Sequence, residues 1–421
     1  MPYTAEAFQN EFLPLGATEV NAIVTVASSG SETGRRTAGA TEIIIVDCSG
    51  SMQAEGRMVA ARQAAKAAVN CIDDGVNFAI IAGVSTAQQL YPGPGQLAVA
   101  SAETRAEAVR SIDRLQANGG TAMGAWLKLA GQLFALRPGD IAHCILLTDG
   151  ENGEYKGYLE GVLNEIGGKF TCDCRGVGTN WTVSELRKVA TAMLGTVDIV
   201  AKPADLTQAF EQMMTAAMGK TSADVQLKVW TPVNSTVRFV KQVRPDITDL
   251  TGKRTEDGPR AGRYPLGSWG SENRDYHVCV DVNPGAAGDE MLAARVSVVE
   301  GDDVLTQCLV RAVWTDDTAL STRINRQVAS YTGQAELADA IQAGIEARKA
   351  GDDRTATIKF GRAAQLARET GNTAIEEQLG KVVDIEDAVT GTVRLKRKVE
   401  AADEMALDTR STKTVRVGRA Q

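Results

Sequence analysis

The apolar run Ile43-Ile44-Ile45-Val46 passes directly into Asp47-Cys48-Ser49-Gly50-Ser51. The run reads as a buried strand, and a carboxylate and two hydroxyls follow it at alternate positions. Oxygen donors spaced in this way can converge on one small hard cation such as Mg²⁺. Such an ion takes oxygen ligands in near-octahedral geometry at about 2.0–2.1 Å. The strand fixes where the donors lie, because open α/β sheets place their ligands at the carboxyl ends of core strands.

Two later segments have the same character. Gly119-Gly120-Thr121-Ala122-Met123-Gly124 is a glycine-flanked threonine that opens a helical pattern. Cys144-Ile145-Leu146-Leu147-Thr148-Asp149-Gly150 is a second buried strand ending in an aspartate and a glycine. Taken singly, Asp47 and Ser49 would also serve as helix N-caps and Thr121 as the cap of the next helix. Asp149-Gly150 would serve as an ordinary turn. Those local roles account for each piece but not for their co-occurrence.

In this order the three segments resemble the von Willebrand factor A domain over roughly residues 39 to 219. In that family an aspartate-x-serine-x-serine motif, a distant threonine and a distant aspartate form a metal-ion-dependent adhesion site. The resemblance implies Asp47, Ser49, Ser51, Thr121 and Asp149 as the metal ligands, each carrying the family's residue type. It further implies a bound Mg²⁺ or Mn²⁺, with the three hydroxyls binding directly and the two aspartates through water. On the same resemblance, a partner protein's aspartate or glutamate would complete the coordination. Loops 50–54, 85–96, 117–122 and 149–155 would choose that partner.

Alternating patterns support an α/β fold without the ligand motif. Strands are predicted at 42–47, 77–84, 142–148, 169–177 and 197–200. Helices are predicted at 53–71, 103–115, 122–136, 154–166, 182–194 and 203–218. This order implies a Rossmann-like, mostly parallel sheet with helices on both faces. Residues 220–317 change to short period-2 runs separated by turns, which argues a β-sandwich. Residues 1–38 hold one alternating run, Val20 to Ala27, that must pair elsewhere and is a natural edge strand of that sandwich. Ser28 to Gly34 reads as a flexible linker. The α/β domain, 39–219, is then inserted in or followed by the sandwich.

Residues 320–405 return to helix, with one helix-turn-helix hairpin from Leu337 to Ala367 and a basic cluster, Gly391 to Lys398, read as a solvated helix face. Residues 406–421 read as a disordered tail. Thr409, Thr412 or Thr414 in it is a phosphorylation candidate for a phosphothreonine-reading partner.

With 421 residues, 43% of them hydrophobic, a sizeable core and several domains are accessible. A net charge of −8 argues against a nucleic-acid binder. No apolar stretch approaches the roughly 20 residues that span a bilayer, and the N-terminus lacks signal-peptide character. Seven scattered cysteines fit reduced thiols, so a cytoplasmic protein is expected. Cys172-Asp173-Cys174 lacks the second pair that a thiolate zinc site needs.

The chemistry points away from an enzyme. Of the two histidines, His277 falls in a sandwich strand and His143 at the far end of its strand from Asp149. Glu151 and Glu154 are the acids near the site, and no Walker loop is present. The expected function is a metal-dependent protein-interaction scaffold. The alternatives are a partner subunit of a ring ATPase of chelatase or MoxR-associated type, and a metal-dependent hydrolase.

Overall fold

A computed structural model describes residues 3–29 and 39–416. The chain forms two compact units. One comprises Thr33–Ala223 with Gly267–Gly270, and the other Met1–Glu32, Asp224–Leu266 and Ser271–Gln421.

The α/β unit is built on one sheet. Its order is Val197–Val200, Thr171–Val177, Ile141–Thr148, Ala40–Asp47, Asn77–Gly83 and Ala87–Tyr91. The first five strands run parallel. Ala40–Asp47 is buried along its whole length, as its unbroken β-branched run requires. Helix Arg57–Asn70 lays Ala61, Ala64, Ala65 and Ala68 into the core beside Phe210 and Met214 of helix Leu206–Met218. The small side chains let helix and sheet approach closely. The order in which strands are added reverses between Ala40–Asp47 and Ile141–Thr148. That is the switch point at which open α/β sheets leave a crevice.

Part of the 85–96 loop is strand. Ala87–Tyr91 pairs antiparallel with Asn77–Gly83, and Ala98–Val99 pairs with the same strand. The segment Gln88-Gln89-Leu90 lies half-exposed at the sheet edge, so it carries little apolar signal.

Among the described residues, the second unit contains two large sheets and a two-stranded one. One large sheet runs Tyr3–Gln9, Glu19–Ser28, Glu272–Asp281, Thr236–Arg244 and Thr248–Asp249. The other runs Thr255–Glu256, Ala261–Gly270, Lys220–Trp230, Glu290–Glu300, Asp303–Thr315 and Phe12–Pro14. The N-terminal run expected at an edge is interior. Glu19–Ser28 pairs with Tyr3–Gln9 on one side and Glu272–Asp281 on the other, because an unforeseen N-terminal strand covers it.

The helices fall in the same compact unit as these sheets. Tyr331 of helix Arg326–Lys349 packs on Ile23 and Val243, and its hydroxyl bonds to Asp275, which also accepts from Thr25 at 2.7 Å. The expected hairpin is helices Arg326–Lys349 and Asp353–Glu369, sealed by Ile341, Ile345, Phe360 and Ala364.

Two expectations fail beyond it. The basic cluster lies not on a helix but largely on strand Thr392–Leu395, paired with Val383–Asp387, and Asp384 accepts ion pairs from Arg394 and Lys396. The tail is ordered through residue 416. Ala401–Arg410 is a helix that buries Leu407 in the helical core. Beyond it, Ile247 N donates to Thr412 O at 2.9 Å, Thr414 N to Pro245 O at 2.9 Å, and Val415 N to Gln334 Oε1 at 2.7 Å. Local composition suggested disorder, but these distant partners satisfy the backbone. The Thr409 hydroxyl is buried on Met405 O and that of Thr414 donates to Val243 O, while Thr412 stays partly exposed. Residues 30–38, which include Gly30 to Gly34 of the expected linker, and 417–421 of the tail lie outside the described residues.

Candidate metal centre

The five donors come together at the carboxyl ends of the two central strands. Asp47 ends one strand, and Thr148-Asp149 ends its neighbour. Asp47 is fully buried and both its oxygens are occupied. Oδ1 accepts from Ser49 N at 2.7 Å, and Oδ2 accepts from Thr148 Oγ1 at 2.5 Å. Burial pushes the Asp47 carboxyl up to about 6, against the pull of those two bonds and with the Asp149 charge adding to the rise. These contacts fix the carboxylate's orientation, a role suited to holding a ligand shell in place.

Ser49, Ser51 and Asp149 form a chain of oxygens. Ser49 Oγ and Ser51 Oγ are 2.9 Å apart, and Ser51 Oγ donates to Asp149 Oδ1 at 2.6 Å. Thr121 reaches the same spot from the other side. A Cβ placed on Gly150 would lie 3.2 Å from Thr121 Oγ1, 3.5 Å from Ser51 Oγ and 4.0 Å from Ser49 Oγ. The glycine therefore leaves a small hollow faced by three hydroxyls. Asp47, Ser49, Thr121 and Asp149 are buried while Ser51 is exposed, so the cluster opens on that side.

The capping roles open in the sequence are not the ones these side chains play. Ser49 stands at the N-cap of the turn Gly50–Gly56 with no capping bond from its side chain. The helix after Thr121 begins at Met123, and its amides are taken by the loop after Asp149. Asn152 Oδ1 accepts from Met123 N at 3.0 Å, and the Glu154 carboxylate accepts from Gly124 N and Ala125 N at 2.8 and 2.9 Å. Backbone bonds lace the three loops together. Gly50 N donates to Gly119 O at 2.9 Å, Asn118 N to Cys48 O at 2.6 Å and Gly153 N to Thr121 O at 2.8 Å.

One residue of the centre is not apparent from the motif. Arg57, in the first turn of its helix, is 4% exposed, and its Nη1 donates to Asp149 Oδ2 at 2.8 Å. Its Nη2 pairs with Glu55 at 3.1 Å. A cation in the first turn works against the helix dipole, a signal hidden in the sequence because the pattern there starts the helix at 53.

His143 lies within the sheet, where strands Ala40–Asp47, Ile141–Thr148 and Thr171–Val177 run side by side. Its Nδ1 is 2.8 Å from Glu42 Oε1 and its Nε2 3.1 Å from Asp173 Oδ2. Burial opposes its charge, but the two carboxylates hold its pKa at about 10. It is a buried ionic bridge between strands. His277 bonds Asn21 Oδ1 in the second unit, and burial lowers its pKa to about 4. Cys172 and Cys174 are buried on one face with sulfurs 4.0 Å apart, and all seven cysteines are free. Among the described residues, no three His, Cys, Asp or Glu side chains gather as a metal site, so the candidate centre depends on its hydroxyls.

A mostly parallel sheet of this order, with hydroxyls and carboxylates gathered at its switch point, defines a von Willebrand factor type A protein, and the chain belongs to that family. Residues 42–199 match the von Willebrand factor type A domain, and residues 365–411 match the von Willebrand factor type A C-terminal domain. A solved von Willebrand factor type A protein from Catenulispora acidiphila is 47% identical, with a TM-score of 0.94 over 99% of this chain and 97% of that one. The ArnB paralog VWA2 from Sulfolobus acidocaldarius, 14% identical at a TM-score of 0.61 over 98% of this chain and 97% of that one, shares the fold. An uncharacterized protein of Synechocystis sp. (strain ATCC 27184 / PCC 6803 / Kazusa) is 27% identical over 216 residues, 49% of each chain. The chain thus spans about half the length of that curated relative. Among the described residues, no helix is long and apolar enough to cross a membrane.

Proposed function

We propose that this protein docks an acidic side chain of a partner protein through a divalent ion, Mg²⁺ or Mn²⁺, held by Asp47, Ser49, Ser51, Thr121 and Asp149. The observation that carries this reading is the hollow beside Gly150, faced by three hydroxyls from two loops and bordered by the Asp149 carboxylate. When bound, the ion would supply a Lewis-acidic face for a visiting carboxylate. Neutral hydroxyls donate less charge than carboxylates would, which suits that role. Buried Asp47 keeps Ser49 turned inward through its amide. Tyr155, 74% exposed in the loop after Asp149, offers a partner an aromatic contact at the rim.

The same residues favour binding over turnover. Glu154, the acid best placed to serve as a base, spends both oxygens capping the helix after Thr121. Free thiols throughout support a cytoplasmic setting. The test is calorimetric titration of the full chain with Mn²⁺, followed by binding to arrays of Asp- or Glu-bearing peptides with and without EDTA. Saturable Mn²⁺ binding lost in Asp47→Ala, and peptide capture lost with EDTA or on Asn/Gln exchange, are the expected results. Mn²⁺ binding unaffected by Asp47→Ala, or capture indifferent to EDTA, would overturn the proposal.

A further inference from the structure

We propose that Arg57 is a built-in counter-cation of this centre, lowering its affinity for the divalent ion and raising its affinity for the incoming carboxylate. The inference rests on the metal reading above and adds a residue that the motif does not contain. Asp47 and Asp149 bring two negative charges, so a divalent ion alone would leave the centre neutral. Arg57 adds one positive charge, and the loaded centre becomes net positive. A site in that state holds the ion less firmly and gains more from an anion arriving at its open side.

The geometry makes this a fixed feature rather than a passing contact. Arg57 Nη1 binds the Asp149 oxygen that Ser51 does not use, so each Asp149 oxygen has its own donor. The guanidinium lies against Gly178, where a Cβ would stand 3.2 Å from its Cζ and Nη2. Its Nε is buried without a hydrogen-bond partner. A buried polar atom left unsatisfied is costly, and the arginine is nonetheless held there by Asp149, Glu55 and the bare Gly178 backbone. The pair also keeps Asp149 compensated and aimed at Ser51 before any ion arrives.

The test uses the full chain, with Mn²⁺ and acetate as probes. Mn²⁺ affinity is read by calorimetry, and acetate capture by its displacement of Mn²⁺-bound water in proton relaxation. Arg57→Gln should bind Mn²⁺ about tenfold more tightly and acetate on the loaded centre several-fold more weakly. Arg57→Lys should restore both values towards wild type. Glu55 is exposed, so Glu55→Gln folds whatever befalls the arginine variant. It removes a charge that partly offsets Arg57 and should weaken Mn²⁺ binding about twofold. Unchanged or weaker Mn²⁺ binding in Arg57→Gln would overturn the inference. Were that variant unfolded, unchanged or tighter binding in Glu55→Gln would do so. Wild-type protein that binds no Mn²⁺ would defeat the metal reading itself. Wild-type binding lost in Asp47→Ala but indifferent to Arg57 would defeat this inference alone.

Discussion

Ser51→Ala separates what the centre does for the fold from what it does for a ligand. The Ser51 hydroxyl lies between Ser49 Oγ at 2.9 Å and Asp149 Oδ1 at 2.6 Å. Asp149 is fully buried, and its other oxygen is already committed to Arg57. Removing the hydroxyl strips Oδ1 of the donor it has in the structure. A hydrogen bond to a charged group contributes about 1.5–3 kcal/mol, and a stranded buried acceptor costs a comparable amount. The metal-free variant should therefore be destabilised by roughly 2 kcal/mol, with a melting temperature lower by roughly 4–8 °C for a unit of this size. Wild-type protein should gain melting temperature with millimolar Mn²⁺, and the variant should gain much less, because it has lost a donor as well as a hydrogen bond. The assay is thermal unfolding followed by circular dichroism, with and without Mn²⁺. Equal Mn²⁺-induced gains in the two proteins would refute the placement of Ser51 in the ligand set, whatever the metal-free difference.

Three further outcomes follow from the same geometry. The folded-state pKa of His143, about 10, lies above its ordinary 6.5. Its contribution to stability is therefore complete below about pH 6.5 and is lost as pH rises through about 10. Urea unfolding from pH 6 to 10 should show that loss in wild type, with a flatter profile in His143→Gln; identical slopes would dismiss the ionic bridge. Gly83→Ala would put a methyl 2.5 Å from the Trp126 indole, whose Nε1 donates to Val84 O, and should cost about 1–3 kcal/mol in denaturant midpoint while weakening Mn²⁺ binding through the helix after Thr121. Glu154→Ala should destabilise by about 1–2 kcal/mol through the uncapped amides of Gly124 and Ala125, with acidic-peptide capture retained; capture abolished in a stable variant would give Glu154 a direct part in binding.

The centre was legible where chemistry and periodicity coincide. Asp47 and Asp149 each follow a strand whose apolar run leaves no doubt about burial, and Thr121 stands between glycines before an amphipathic helix. The structure brings these residues together. Arg57 was not legible, because it sits in an alanine-rich helix whose pattern reads as ordinary packing, and its partner is 92 residues away. Strand Ala261–Gly270 was missed since Gly262, Pro265, Gly267 and Gly270 interrupt its alternation. Tyr3–Gln9 mixes half-exposed positions with a single buried tyrosine and carries almost no apolar rhythm. The segment after residue 405 looked unstructured because its hydrogen-bond partners, Pro245, Ile247 and Gln334, lie far back in the chain. Local composition reports only what neighbours in sequence can do.

The pairing of Glu19–Ser28 with Glu272–Asp281 has a consequence for how the molecule is made. Thr25 meets Asp275 at a separation of 250 positions, so that sheet cannot close until the whole α/β unit has been synthesised. Within the α/β unit, Ala40–Asp47 and Asn77–Gly83, and likewise the successive strands from Ile141 to Val200, are joined through single helices, and such nearby contacts form quickly. The order of assembly is thereby set: the α/β half is expected to mature first, and Glu19–Ser28, with only Tyr3–Gln9 beside it, waits for a distant mate.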